Sequence, residues 1–238
     1  MKSIDIMGVP VSTVNHSQIP LIIDDFMNEC QCNLIMTPNP EMVMEAQKNE
    51  ALMKALHASD LVLADGIGLV IASKIKRKGI KERVTGIDTM DQILSYCHLH
   101  NKKIFLLGGK PGTCEQAALN INQKYANIEI VGTHHGYFEN SETEEMIKMI
   151  NLSEADALFA GLGFPKQEIW ISENQHRFTC KLAMGVGGSL DVYAGNVKRA
   201  PLIFQKTGLE WFYRLIKEPW RVKRMAVLPQ FLWEVLWR

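Results

Sequence analysis

The sequence lacks several features that would fix its class at once. No apolar run reaches the roughly 18 residues that a membrane-spanning helix needs. The opening MKSIDIMGVPVS has neither the long apolar core nor the small-residue cleavage site of a secretory leader, so a cytoplasmic protein is expected. The five cysteines are odd in number and form no CxxC, which argues for reduced thiols and against a disulfide framework or a zinc site. The phosphate loop GxxxxGK[ST] is absent. So is DxD; Asp24-Asp25 fall in an amphipathic helical pattern and read as a solvated face. There is no internal repeat and no low-complexity segment. Net charge is zero, but it is unevenly spread.

The last 44 residues, Gly195 to Arg238, hold four of the five tryptophans and nine Lys/Arg against three Glu. Residues 1–194 carry 17 basic and 23 acidic side chains. An acidic body without a reader motif excludes nucleic acid as the expected partner. A basic tail rich in tryptophan suits the surface of an anionic membrane, or else a subunit interface in a homo-oligomer. The composition shift places a boundary near Ala194, giving an α/β catalytic domain over 1–194 and a helical, membrane-associating appendage over 195–238.

Within the body, short apolar runs at 33–36, 61–64, 104–107, 128–131, 157–160 and 181–184 alternate with helical patterns. This is the signature of an α/β fold with a mainly parallel, Rossmann-like sheet covered by helices on both faces. Ligands of such sheets sit beyond the carboxyl ends of the strands. Glycine, proline and polar clusters occupy those places, so one crevice is predicted there.

Each candidate residue in that crevice has a functional and a plain reading. Asp65 follows a buried run and can act as a general base, or it can cap the helix from Ile67. Thr37 and Asn39 can bond a sugar hydroxyl or a phosphate, or cap the helix from Pro40. Gly187 and Gly188 offer backbone N–H groups to a diphosphate, or simply make a turn. Gly161-Leu162-Gly163-Phe164-Pro165-Lys166 departs from GxGxxG because Lys166 takes the last glycine place, which weakens a nicotinamide-dependent oxidoreductase. Lys166 and Gln167 open a helix and can meet an anion, or form a solvated first turn. Tyr137 and Asp191 can hold a base and a ribose, or make structural hydrogen bonds. Arg214, Arg221 and Arg224 fall on one side of a continuous helix, suited to a lipid-linked diphosphate, although Pro219 interrupts.

In order and spacing these pieces resemble the WecG/TagA/CpsF glycosyltransferase family. The resemblance runs through Thr37-Pro38-Asn39-Pro40, Ala64-Asp65-Gly66, Arg83-Val84-Thr85-Gly86-Ile87-Asp88 and Gly136-Tyr137-Phe138. It continues through Gly161 to Glu168, Gly185 to Asp191, Arg199-Ala200-Pro201 and Gly208 to Leu215 with Pro219-Trp220-Arg221. It implies an inverting transferase that moves a sugar from a UDP-sugar to a sugar on a polyprenyl diphosphate, peripheral on the inner face of the cell membrane. The wall teichoic acid branch of the family implies N-acetylmannosamine as the donor sugar, N-acetylglucosaminyl-diphospho-undecaprenol as acceptor and a β-1,4 linkage. Glucose or N-acetylmannosaminuronate donors, and a noncatalytic peripheral membrane protein, are the alternatives. The resemblance implies Asp65 as base, with Thr37, Asn39 and Gln167 orienting the sugars. Arg83, Arg214, Arg221 and Arg224 would meet diphosphate charge, and Tyr137, Gly187, Gly188 and Asp191 would hold the nucleotide. No metal or other cofactor is expected, the arginines taking a metal's place.

Overall fold

The computed structural model describes residues 1–217, 219 and 227–237. The chain opens with a hairpin, β1 (Ser3–Ile6) against β2 (Val9–Ser12). Its turn residues Met7 and Gly8 have φ of 55° and 82°, the left-handed pair that matches strand twist. Helix α1 (Ile19–Asn28) leads to β3 (Asn33–Met36), α2 (Pro40–Ala46), α3 (Glu50–Ala58) and β4 (Leu61–Val62). Then come α4 (Ile67–Ile75), α5 (Gly86–Leu99), β5 (Lys103–Gly108), α6 (Thr113–Lys124) and β6 (Glu129–His134). The body ends with α7 (Thr143–Leu152), β7 (Ala157–Gly161), α8 (Lys166–Asn174), β8 (Leu182–Gly185) and α9 (Ser189–Tyr193). Beyond it lie α10 (Leu202–Lys206), α11 (Glu210–Lys217) and α12 (Val227–Trp237).

β4, β3, β8, β7, β5 and β6 form, in that order, a six-stranded sheet in which every pairing is parallel. The apolar runs become strands because both faces are covered, so no alternation is needed. One face packs on α2, α3, α4, α7 and α8 through residues such as Val43, Leu52, Leu69, Ile147 and Ile171. The other packs on α1, α5, α6 and α9 through Ile23, Ile93, Ile121 and Leu190. Between β3 and β4 there are two helices, not one, because Asn49 accepts from the Leu52 N–H at 3.1 Å and starts α3 afresh.

The chain leaves β3 toward one face, into α2, and leaves the neighbouring β8 toward the other, into α9. Strand exits that diverge in this way open a crevice above the sheet edge. The C-terminal stretch contributes to the same interior. Phe231 and Val235 of α12 are buried in the core that holds Leu69 and Val43, where α12 lies on α2 and α4.

Candidate active site

Asp65 sits three residues past β4, where its backbone N–H donates to the carbonyls of Leu63 at 3.0 Å and Pro38 at 3.2 Å. The next loop returns to this place, since the Val84 N–H donates to the Ala64 carbonyl at 3.0 Å. Arg83 is thereby brought beside Asp65, and both line a cavity of about 220 Å³. Asn39 and Glu41 from the start of α2 form another wall, and Glu210, Trp211 and Leu228 from the C-terminal stretch close it. Gly66 keeps the walls together: a Cβ there would lie 2.4 Å from Pro40 Cδ. A Cβ on Gly68 would lie 2.5 Å from Pro40 Cγ and 2.7 Å from Leu228 Cδ1. The start of α4 therefore packs directly on α2 and α12.

Asn39 caps its helix, with Oδ1 accepting the Met42 N–H at 2.9 Å, while also lining the crevice. Thr37 follows β3 and packs against Gly86, where an added Cβ would come within 2.8 Å of Thr37 Oγ1. Gln167 is buried at the head of α8. Its Oε1 accepts the Gly187 N–H at 3.1 Å and its Nε2 donates to Glu168 Oε1 at 2.6 Å. Gln167 thus fastens the glycine turn after β8 to α8. Gly187 has φ of 50°, and a Cβ on it or on Gly188 would meet nothing within 4 Å, so this backbone faces open space. Asp191 accepts from Asn196 Nδ2 at 3.3 Å. Tyr137 and Lys166 line a separate, open groove of about 820 Å³ at the exits of β6 and β7. Lys166 Nζ lies 4.6 Å from the centre of the Phe138 ring and donates to the Phe138 carbonyl at 3.1 Å.

The structure therefore gathers Asp65, Arg83 and Asn39 in one cavity, sets Thr37 at the adjoining strand exit, and spreads the remaining body candidates along the same edge of the sheet. Arg221 and Arg224 lie outside the described residues, as does the Arg214 side chain. Among the described residues no three His, Cys, Asp or Glu side chains are grouped to hold a metal ion.

Three residues with prominent roles carry no functional reading in the sequence. Glu210 and Arg199 belong to an ion-pair row reaching Arg83. Glu168 is the third: it is 1% exposed, and its Oε2 has no hydrogen-bond partner. Burial lifts its carboxyl to about 7, against the lowering effect of the Gln167 hydrogen bond. The folded protein holds this proton more tightly than the unfolded chain, so the stability contribution is full at low pH and lost as pH rises through about 7. Over that window wild type is expected to lose ~3 kcal/mol that Glu168→Gln does not lose. Urea unfolding of both proteins at acid and neutral pH measures the difference, and parallel pH curves would contradict it.

A parallel α/β body with a carboxylate and a guanidinium lining one cavity beyond the strand ends is an arrangement suited to a group-transfer enzyme. The comparisons specify it further. Residues 4–238 match the model of the glycosyl transferase WecG/TagA/CpsF family. Over 234 residues the chain is 38% identical to a protein of Staphylococcus aureus strain MRSA252 named N-acetylglucosaminyldiphosphoundecaprenol N-acetyl-beta-D-mannosaminyltransferase, covering 98% of this chain and 91% of that one. Proteins of the same name from strains MW2 and NCTC 8325 / PS 47 match to the same extent. The chain belongs to the WecG/TagA/CpsF family of glycosyltransferases.

Proposed function

We propose that the protein transfers N-acetylmannosamine from UDP-N-acetylmannosamine to N-acetylglucosaminyl-diphospho-undecaprenol with inversion, forming the β-1,4 disaccharide lipid that begins wall teichoic acid. The observation that carries this reading is the shared cavity of Asp65 and Arg83 at the carboxyl edge of a parallel sheet. The names of the relatives supply the sugar and the lipid.

Inversion needs one group to take the acceptor's proton. Asp65 accepts the hydroxyl proton as the hydroxyl oxygen attacks the anomeric carbon. The bond from that carbon to the donor diphosphate breaks, and UDP leaves with the electron pair. Charge grows on the departing phosphate oxygen, and the Arg83 guanidinium answers it electrostatically. Thr37, Asn39 and Gln167 hold the sugars and the surrounding turns in register, which lowers the entropic barrier. Tyr137, Gly187, Gly188 and Asp191 receive the nucleotide, and Lys166 supplies positive charge at the same edge. Arg214, Arg221 and Arg224 supply further cations to a diphosphate. Arginines here do the work that a bound divalent ion does elsewhere.

The acceptor reaches the site from the inner face of the cell membrane. No helix among the described residues is long and apolar enough to cross a membrane. Leu202 and Ile203 of α10 are 68% exposed, and Trp233 and Trp237 of α12 are 63% and 74% exposed. Lys74, Arg77 and Lys81 stand exposed on the body, where Lys74 and Lys81 share a groove with Lys206 at the end of α10. Apolar rings edged by cations suit shallow insertion among anionic headgroups.

The test is UDP release with a panel of UDP-sugars, in vesicles with and without the polyprenyl-diphosphate acceptor. Release is expected only with the acceptor and chiefly from UDP-N-acetylmannosamine, and it should persist in excess chelator. Preference for UDP-glucose or UDP-N-acetylmannosaminuronate would move the reading to another donor. Loss in chelator, restored by magnesium or manganese, would overturn the metal-independent mechanism.

A further inference from the structure

Behind Arg83 runs a row of alternating charges that joins the body to the C-terminal stretch. Arg83 Nη2 pairs with Glu210 Oε2 in the first turn of α11. Glu210 Oε1 accepts from Arg199 Nε at 3.4 Å. The two terminal nitrogens of Arg199 grip both oxygens of Asp88, at 2.6 and 3.0 Å. Asp88 is held in turn by the Thr85 hydroxyl, which donates to it at 2.6 Å and caps α5. Burial alone would raise the Asp88 carboxyl, but the hydrogen bonds from Arg199 and Thr85 outweigh it and hold the group below the ordinary range.

The row is shielded where it meets the crevice: the side chains of Arg83 and Glu210 keep 13% and 12% of their exposure. In such a place a charge pair is weakly screened and its geometry is held. Both residues line the cavity that contains Asp65. A guanidinium is a planar fork of five donors, and Glu210 engages it through Nη2. The rest of the fork can turn to a phosphate.

We infer that Glu210 is a positioning residue for Arg83, braced by Arg199 and Asp88, so that the crevice cation takes its working orientation only when α11 is docked on the body. Arginine is long and flexible, and on a loop it would sample many rotamers. The Glu210 carboxylate selects one of them. It comes from a helix 127 residues further along the chain. The proposal rests on the reading of Arg83 as the cation for the departing diphosphate.

The test is a double-mutant cycle on the full chain with UDP-N-acetylmannosamine and acceptor vesicles. Glu210→Gln should lower kcat about 10- to 100-fold, the scale of a misaligned transition-state donor. Donor KM should move less than about threefold. Glu210→Asp, which keeps the charge, should recover part of the rate. In an Arg83→Gln background Glu210→Gln should add no further loss, because its effect passes through Arg83. An undiminished kcat in Glu210→Gln, or the same loss with and without Arg83, would overturn the inference. If Glu210→Gln does not fold, Glu210→Asp goes through the same cycle: a loss that vanishes without Arg83 supports the inference, and one that persists, or no loss, overturns it. Wild-type protein showing no acceptor-dependent UDP release would fail the functional reading itself, and the role of Arg83 with it.

Discussion

Asp65→Asn is expected to lower acceptor-dependent UDP release by about 10²–10⁴-fold, the usual range for losing a positioned general base. The substitution is nearly isosteric. Two bonds that hold this turn run from the Asp65 backbone N–H to Leu63 and Pro38, and both survive the substitution. The amide cannot take the acceptor's proton, so the attacking oxygen stays a hydroxyl. UDP binding measured by calorimetry should change little, because the lost interaction belongs to the transition state. A variant within about threefold of wild-type turnover would remove Asp65 from the mechanism.

The second large effect concerns stability. Phe231 is fully buried in α12, in the core shared with the sheet. Phe231→Ala is expected to cost about 3–5 kcal/mol through lost burial and the cavity left behind. For a chain of this size that is a fall in Tm of about 10 °C. The same variant should loosen α12 from α2 and α4, open the cavity wall at Leu228, and lower turnover at temperatures where the body still folds. Trp237→Ala, at a residue 74% exposed, should leave Tm within a degree or two and weaken vesicle binding instead. Equal melting of wild type and Phe231→Ala would show that α12 does not depend on that contact.

The sheet was legible because its strands are continuous apolar runs, and 33–36 and 157–160 fall within β3 and β7. β6 reaches Glu129–His134, beyond the run at 128–131, because Gly132, Thr133 and His134 pair with β5 whatever their hydropathy. The opening hairpin has strands of four residues each, the shortest length at which alternation can be read, so its signal is weak. Asp65 could be placed near a site because it follows a strand, and Arg83 joined it through the family motif. The partnership of Arg83 with Glu210 had no local signal. Charge pairs between distant segments follow from how α11 and the chain before α10 pack on the body, which no local pattern records. Glu168 was hidden for a different reason: in a first turn the sequence does not say which of two neighbouring polar side chains points inward, and here both Gln167 and Glu168 do.

The cavity beside Asp65 is walled by pieces from the two extremes of the chain, Asn39 near one and Leu228 near the other. A small molecule that touched both walls at once would act as glue, locking the helices in one arrangement and, on the proposed mechanism, competing with donor for the same space. Such an antagonist would show its mode of action as a rise in melting temperature that scales with its affinity. A compound that met only the exposed tryptophans, which the unfolded chain offers as well, would give little rise.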